Sequence, residues 1–366
     1  MKIKVSQQSF NKALNIVSKI AAGARTTLPI LNNVLIRASN KKITLTTTNL
    51  EIAAISFVAG VVESDGVITI PVKVLSEFVS NLPRSEDVLL EVKDSKVFIQ
   101  AGQYKSTING VAADEFPELP SIDNKKAVVF RSNVDDFKLA VGNVVVAASN
   151  DTTRPVLTGI YTYTNDGNLY FVSTDGYRLA EQKYISGVES DVKVIIPASS
   201  AQDVMRSLSA EASEIEISID DSQVKFSFEE TEIISKLIDG SFPDYKQLIP
   251  KKTEINVLVN RDELVRDVKL AALFAREVGG SIICETKGTE LLISAVANEL
   301  GENTSKIEVG AVDEGKVTIS SRFLLDVLNV MPDEKIKFGF SSKISPVVIQ
   351  GEKSKEYLHI IMPLKS

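Results

Sequence analysis

The 366-residue chain contains one cysteine, Cys284, one histidine, His359, and no tryptophan; aromatic residues make up only 6%. A single cysteine excludes an intrachain disulfide and any multi-cysteine metal site. A single histidine excludes two-histidine metal sites and leaves little room for a Ser-His or Cys-His nucleophile pair. No phosphate-cradling loop of the GxxxxGK[ST] type is present. The carboxylates in DEF, FEETE and VDEG lack the partners that metal-assisted chemistry requires, so neither catalytic residues nor a metal or cofactor is expected. No apolar run approaches the roughly 20 residues that span a bilayer. The opening MKIKVSQQSF has no apolar stretch behind its basic residues, so no signal peptide is read and a cytoplasmic protein without membrane contact is expected. The net charge of -7 argues against an overall basic nucleic-acid binder and leaves only a local basic surface open.

What is present is ordinary globular composition, 44% hydrophobic and 24% charged, on a length that favours two or three domains. Self-similarity decides between them. Thr26-Thr27-Leu28-Pro29-Ile30-Leu31 returns as Thr152-Thr153-Arg154-Pro155-Val156-Leu157, a shift of 126. Thr48-Asn49-Leu50 against Thr174-Asp175-Gly176, Ile70-Pro71 against Ile196-Pro197, and Phe116-Pro117 against Phe242-Pro243 repeat the same shift. A fainter third copy places Val317-Thr318-Ile319-Ser320 about 123 residues after VIIP, and LLISAVANE 122 after LYFVSTDGY. Three domains follow, at 1–122, 127–250 and 254–366, joined by Pro- and Lys-containing stretches.

Each unit has the same internal rhythm. FNKALNIVSKI, VDDFKLAVGNVVVAA and DELVRDVKLAALFA carry helical apolar spacing. Alternating strand-like runs follow, then a shorter helix after the Ile-Pro or Ile-Ser step, then two strands around turns such as KDSK and DDSQ. This predicts an α+β fold with both helices of each unit on one face of antiparallel sheets. The six helices are expected at 7–24, 72–82, 134–148, 198–209, 261–276 and 321–331; they hold ten basic and eight acidic residues, net +2 in a chain of -7. Cys284, in the apolar run SIIC, is expected to be buried, and His359 to be a surface strand residue. Asp175-Gly176 and Asp239-Gly240 read as turns.

The strings Thr174-Asp175-Gly176-Tyr177-Arg178-Leu179-Ala180 and Asp239-Gly240-Ser241-Phe242-Pro243-Asp244-Tyr245, with the ending Met362-Pro363-Leu364-Lys365, resemble the bacterial DNA polymerase III β subunit family, the replicative sliding clamps. Thr153-Arg154-Pro155-Val156-Leu157-Thr158-Gly159 and Leu325-Asp326-Val327-Leu328-Asn329 fit the same family, and the resemblance covers the whole chain. It implies three DNA-clamp domains per chain and a head-to-tail homodimer that closes a six-domain ring around duplex DNA, without reading its sequence. It implies further partners: the polymerase III α subunit, the clamp loader, and other polymerases and repair proteins that insert short linear motifs into a groove between domains two and three.

Matched motif by motif, the resemblance places that groove at Leu157, Thr174, Gly176, Tyr177, Leu179, Pro243, Leu248, Phe323, Ile344, Pro346, Ile360, Met362, Pro363, Leu364 and Lys365. Leu157, Leu179 and Ile360 also read as ordinary core residues. Tyr177 stands where many relatives have histidine and Lys365 where many have arginine. For DNA it implies Arg25, with Lys12, Lys73, Arg154 and Arg206 on or beside the candidate pore helices; Ala198-Ser199-Ser200 departs from the basic residues common there. At the dimer joint it implies Ile108 against Leu273 and Phe274. The competing readings are a triplicated α+β hydrolase working with carboxylates alone, for which no acid pair is visible, and a passive scaffold.

Overall fold

The computed structural model describes residues 1–22, 28–123 and 125–364. The first repeat runs β1 (Lys2–Ser6), α1 (Gln7–Ala22), β2 (Asn33–Ser39), β3 (Lys42–Thr48), β4 (Ile52–Val58), β5 (Gly60–Ser64), β6 (Gly66–Pro71), α2 (Val72–Ser80), β7 (Asp87–Lys93), β8 (Lys96–Ala101) and β9 (Tyr104–Asn109). The second runs β10 (Val128–Asn133), α3 (Val134–Val145), β11 (Gly159–Asn165), β12 (Asn168–Thr174), β13 (Arg178–Ser186), β14 (Lys193–Pro197), α4 (Ala198–Ser207), β15 (Glu214–Ile219), β16 (Gln223–Phe228) and β17 (Thr231–Lys236). The third runs β18 (Ile255–Asn260), α5 (Arg261–Ala275), β19 (Ser281–Lys287), β20 (Glu290–Ala297), β21 (Gly301–Glu308), β22 (Gly315–Ser320), α6 (Ser321–Val330), β23 (Lys335–Phe340), β24 (Val347–Gly351) and β25 (Tyr357–Ile361).

Every expected helix forms, and the reasons are local. Asn260 caps α5 by accepting from the Glu263 N–H, with Glu263 at the third helical position, and Ser320 caps α6 by accepting from Phe323. The apolar stripes face inward: Val72, Leu75 and Val79 from α2, and Leu324, Val327 and Leu328 from α6, are buried. Each such side chain removed from water stabilises the fold by about 1.5–3 kcal/mol. Helices α2 to α6 end one to three residues short of their expected limits, and the expected end of α1 lies outside the described residues. In α2 the cause is Pro83, which biases the chain before it away from helix and leaves Asn81 as the C-cap.

The 126-residue shift extends to individual hydrogen bonds. Thr48 Oγ1 donates to the Ile52 carbonyl and accepts from the Leu50 N–H, while Asn49 Oδ1 accepts from Glu51 and Ile52. Thr174 and Asp175 do the same for Arg178, Gly176 and Tyr177. The third residue of this turn takes a positive φ, 78° at Leu50 and 90° at Gly176. Glycine is the residue that adopts this backbone without a steric penalty. The DDSQ turn forms around Asp220 Oδ1, which accepts from Ser222 and Gln223.

By contacts, the described chain gathers into two compact units, not three. One comprises Met1–Val134 with Ser199–Leu237; the other comprises Asp135–Ala198 with Ile238–Ser366. The first unit holds a five-stranded sheet, β5-β1-β7-β8-β9, and an eight-stranded one, β10-β15-β16-β17-β4-β3-β2-β6. The second holds an eight-stranded sheet, β14-β11-β12-β13-β25-β24-β23-β18, and a four-stranded one, β21-β20-β19-β22. Both eight-stranded sheets are antiparallel joints between repeats. In the first, β17 pairs with β4, Thr231 opposite Ser56; in the second, β13 pairs with β25, Leu179 opposite Ile360. The second repeat is therefore divided between the units.

Cys284 is fully buried, and burial pushes its thiol up to about 12. His359 is also fully buried, which corrects the expectation of a surface residue: β25 lies inside the eight-stranded sheet and both of its faces are covered. The Tyr357 hydroxyl lies 2.9 Å from the Asn143 carbonyl and 2.9 Å from His359 Nδ1. Burial, helped by the Arg178 charge, pushes the His359 pKa down to about 3. The unfolded chain binds this proton near 6.5 and the folded chain does not, so stability is lost as pH falls from 6.5 towards 3. Relative to His359→Gln, the native protein is expected to lose about 1.4 kcal/mol per pH unit in that window. Denaturant unfolding of both proteins from pH 7 to 4 measures it, and parallel curves would contradict it.

Candidate binding groove

All the described groove residues lie in the second unit. One face of its eight-stranded sheet carries Tyr161 and Tyr163 from β11, Tyr170, Val172 and Thr174 from β12, Leu179 and Glu181 from β13, and Leu358 and Ile360 from β25. These residues stand opposite one another across the strands, Tyr163 by Tyr170, Val172 by Glu181, and Leu179 by Ile360. The connecting segment 238–250 lies over part of this face like a strap. Phe242 stacks on Tyr161 at 4.9 Å, and Tyr161 and Tyr170 stack on Tyr163 at 4.9 and 5.2 Å. Tyr245 joins Leu179, Ile360, Val172 and Tyr163 in a buried cluster. Its hydroxyl donates to Glu181 and lies 2.7 Å from the Tyr163 hydroxyl, while Lys246 sits 5.2 Å above the Tyr163 ring. Burial raises the pKa of both phenols, so they stay protonated and can donate. Pro243 and Leu248 are exposed on this strap.

A second wall is built by the turn 174–178 and the end of the chain. Met362 N–H donates to the Tyr177 carbonyl at 2.8 Å, and Leu364 N–H to the Thr318 carbonyl at 2.8 Å. The Tyr177 ring stands out, 66% exposed. Beneath it Arg178 is 6% exposed, with Nε on Asp175 at 3.0 Å and Nη1 on Asp326 of α6 at 2.6 Å. Its guanidinium lies 4.3 Å over the Phe323 ring, an electrostatically favourable contact. Arg178 thus fastens β13 to α6 and fixes the height of the turn.

The structure sorts the expected groove residues by exposure. Leu157, Thr174, Leu179 and Ile360 are buried; Phe323, Pro346, Met362, Pro363 and Leu364 are half-buried; Gly176, Tyr177, Pro243, Leu248 and Ile344 are exposed, Ile344 to 84%. Pro346 directly precedes β24, and Ile344 stands on the loop before it. Lys365 lies outside the described residues. Sequence reasoning missed Arg178, Glu181, Tyr163 and Tyr245, the polar frame of the site. The available signal was an arginine three residues after an aspartate within an alternating strand.

The other expected residues fall elsewhere. Arg25 lies outside the described residues. Lys12 on α1 does not stand free: its Nζ is 2.8 Å from Glu211 and 2.9 Å from Glu229. Arg206 on α4 pairs with Asp203 one turn earlier. Lys73 on α2 and Arg154 before the short helix Pro155–Thr158 are exposed, with no ion pair among the described residues. Ile108 is buried in β9, Leu273 of α5 is exposed and Phe274 is half-buried. Among the described residues, no group of three or more His, Cys, Asp or Glu side chains could hold a metal ion, and no helix is long and apolar enough to cross a membrane.

Repeated α+β domains, joined sheet edge to sheet edge around an apolar surface groove, define a protein of the DNA-clamp class. Family models described as the N-terminal, central and C-terminal domains of the DNA polymerase III beta subunit match residues 1–120, 132–244 and 246–365. The chain belongs to the DNA polymerase III beta subunit family. Beta sliding clamps of Synechococcus elongatus and Bacillus subtilis are each 28% identical to it, over 100% of this chain and 99% and 100% of theirs. The crystal structure of the Bacillus subtilis DNA polymerase sliding clamp superposes with a TM-score of 0.93 at 27% identity, covering 100% of this chain and 99% of that one. That of the Pseudomonas aeruginosa clamp with ligand gives 0.93 at 25%, covering all of both chains.

Arg178 ties the 174–178 turn to α6 through two ion pairs. Arg178→Met leaves Asp175 and Asp326 without their shared cation and is expected to cost about 3 kcal/mol. Denaturant midpoints of the variant and native protein measure this; equal midpoints would show that the pair contributes nothing.

Proposed function

We propose that the chain is a replicative sliding clamp whose two copies close head to tail around duplex DNA. One observation carries this reading. At both internal joints, the last strand of the first sheet of one repeat pairs with the last strand of the second sheet of the next repeat: β4 with β17, and β13 with β25. Phe57 N–H donates to the Glu230 carbonyl at the first joint and Lys183 N–H to Glu356 at the second, each pair 126 residues from the other. The same rule leaves β21 of the third repeat and β9 of the first as free edges. Supplying each with the other from a second copy closes a ring, and two copies are the smallest closed assembly.

Surface chemistry supports the third joint. Phe98 and Tyr104 are exposed on β8 and β9, and Leu270, Leu273, Val296 and Leu300 are exposed on α5 and around the β20–β21 turn. Apolar side chains of this size beside an open sheet edge suit a covered interface. Ile108 supports β9 from behind. The three domains at 1–122, 127–250 and 254–366 are the building blocks, and the clamp holds its partners without catalysing a reaction.

In this reading the groove takes short linear motifs from the polymerase III α subunit, the clamp loader and other polymerases or repair proteins. Tyr177, Leu248, Pro243 and Ile344 meet the incoming apolar side chains, and Leu179 and Ile360 form the floor. Lys73, Arg154 and Arg25 contact phosphate without reading sequence, while Lys12 and Arg206 contribute less because their charges are already compensated. The protein works on chromosomal DNA in the cytoplasm.

Two outcomes follow. Protein loaded by a clamp loader with ATP onto nicked circular plasmid is expected to stay on the circle through a sizing column and to be lost once the plasmid is linearised. Equal behaviour on both forms would leave only electrostatic binding, which falls steeply with salt. Deleting residues 362–366 is expected to abolish binding of the polymerase while leaving self-association intact, read by pull-down and by sedimentation. Loss of the dimer instead would count against this groove.

A further inference from the structure

Each joint leaves a cleft beside the first helix of a repeat and the segment that follows the second helix of the next. In the first unit an internal cation neutralises its carboxylates: Lys12 of α1 reaches both Glu211, just after α4, and Glu229, in the β16–β17 turn. Helices α1 and α3 align with Phe10 on Phe137, which puts Ala13 on Ala140 and Val17 on Val144, all buried. In that alignment Lys12 corresponds to Leu139 and Ile16 to Asn143. The second unit thus has the cleft without its cation.

That cleft is a cavity of ≈ 290 Å³ lined by Asp136, Leu139 and Asn143 of α3, by Tyr357, and by Asp333 and Glu356. Leu139 is 42% exposed there. Asp333 is held in place by the Lys353 and Ser354 N–H groups, whereas Asp136 and Glu356 are exposed and form no ion pair among the described residues. Asn143, 3% exposed, donates from Nδ2 to Gln182 Oε1 at 2.8 Å, and its Oδ1 has no partner. A buried acceptor left unpaired is costly, and here it lies beside three carboxylates. Lys183 is the one cation on the lining, which leaves a net charge of -2.

We propose that this cleft binds the cationic end of a lysine or arginine side chain presented by a partner protein, supplying from outside what Lys12 supplies internally in the first unit. Leu139 offers apolar surface to the methylene stem, and the carboxylates and Asn143 Oδ1 accept from the head. No groove residue lines the cleft, so this site is separate from the peptide groove and does not depend on it.

The test is methyl NMR on the full-length protein titrated with Nα-acetyl-argininamide. A saturable shift of the Leu139 methyls is expected, with none from the uncharged Nα-acetyl-citrullinamide. Asp136→Asn combined with Glu356→Gln, both at exposed positions, is expected to weaken binding roughly tenfold, the order of two screened charge pairs. Leu139→Lys places an ammonium in the cleft, as in the first unit, and is expected to abolish binding, followed there through the Ala140 methyl. No saturable shift, an equal shift from the citrulline compound, or undiminished binding by the Leu139→Lys protein would overturn the proposal. Tighter binding of spermidine than of the arginine compound would also overturn it, because the ligand would then be a free polyamine.

Discussion

A strand at the edge of a sheet exposes N–H and C=O groups that must find partners, and this requirement organises the whole chain. Each repeat makes sheets of about four strands with open edges. Pairing β17 with β4 and β13 with β25 turns four such edges into the interiors of two eight-stranded sheets. The location of the groove follows from the second of these pairings. Once β25 runs antiparallel to β13, the chain leaving β25 passes the turn that leads into β13, and Met362 reaches the Tyr177 carbonyl. A surface site has thus been assembled from residues 174–179 and 360–364 by backbone pairing alone. The tyrosine and arginine contacts then stiffen it.

Several cations at the candidate sites are matched within the molecule. Arg178 is divided between two aspartates and an aromatic face, Lys12 between two glutamates, and Arg206 is matched one helical turn away. Of the described cations expected at DNA, Lys12 and Arg206 are thus already compensated, which weakens their hold on phosphate. A protein that travels along DNA benefits from this weakness, since each phosphate contact made also steepens the dependence on salt and slows release.

Features set by neighbours in sequence were legible in it: the 126-residue shift, the two helices per repeat, the turn at Asp175-Gly176, and the burial of Cys284. Features set by distant neighbours were not. Asp326 lies 148 residues from Arg178, and Glu211 and Glu229 lie 199 and 217 residues from Lys12. No spacing rule reaches that far, so Lys12 reads as a free pore lysine until its partners are seen. His359 misleads for another reason. In Tyr357-Leu358-His359-Ile360-Ile361 both faces of the strand are covered, so alternation cannot reveal which side meets water. The groove candidates came from family motifs, whereas the Tyr163–Tyr245–Glu181 frame had no motif to announce it.

The division of the second repeat between two units has a consequence for how the molecule comes apart. Repeat ancestry counts three segments, but cooperativity follows contacts, and the contacts cut the central segment after Val134, Ala198 and Leu237. Its strands β10 and β15 to β17 are expected to melt with the first unit, and β11 to β14 with the second. The middle of the chain is therefore expected to show no unfolding transition of its own. An excised central domain would carry two raw edges, β13 and β17, and would aggregate through them. What repeats as three segments in sequence is packed as two units by contact, and neither unit coincides with a single repeat.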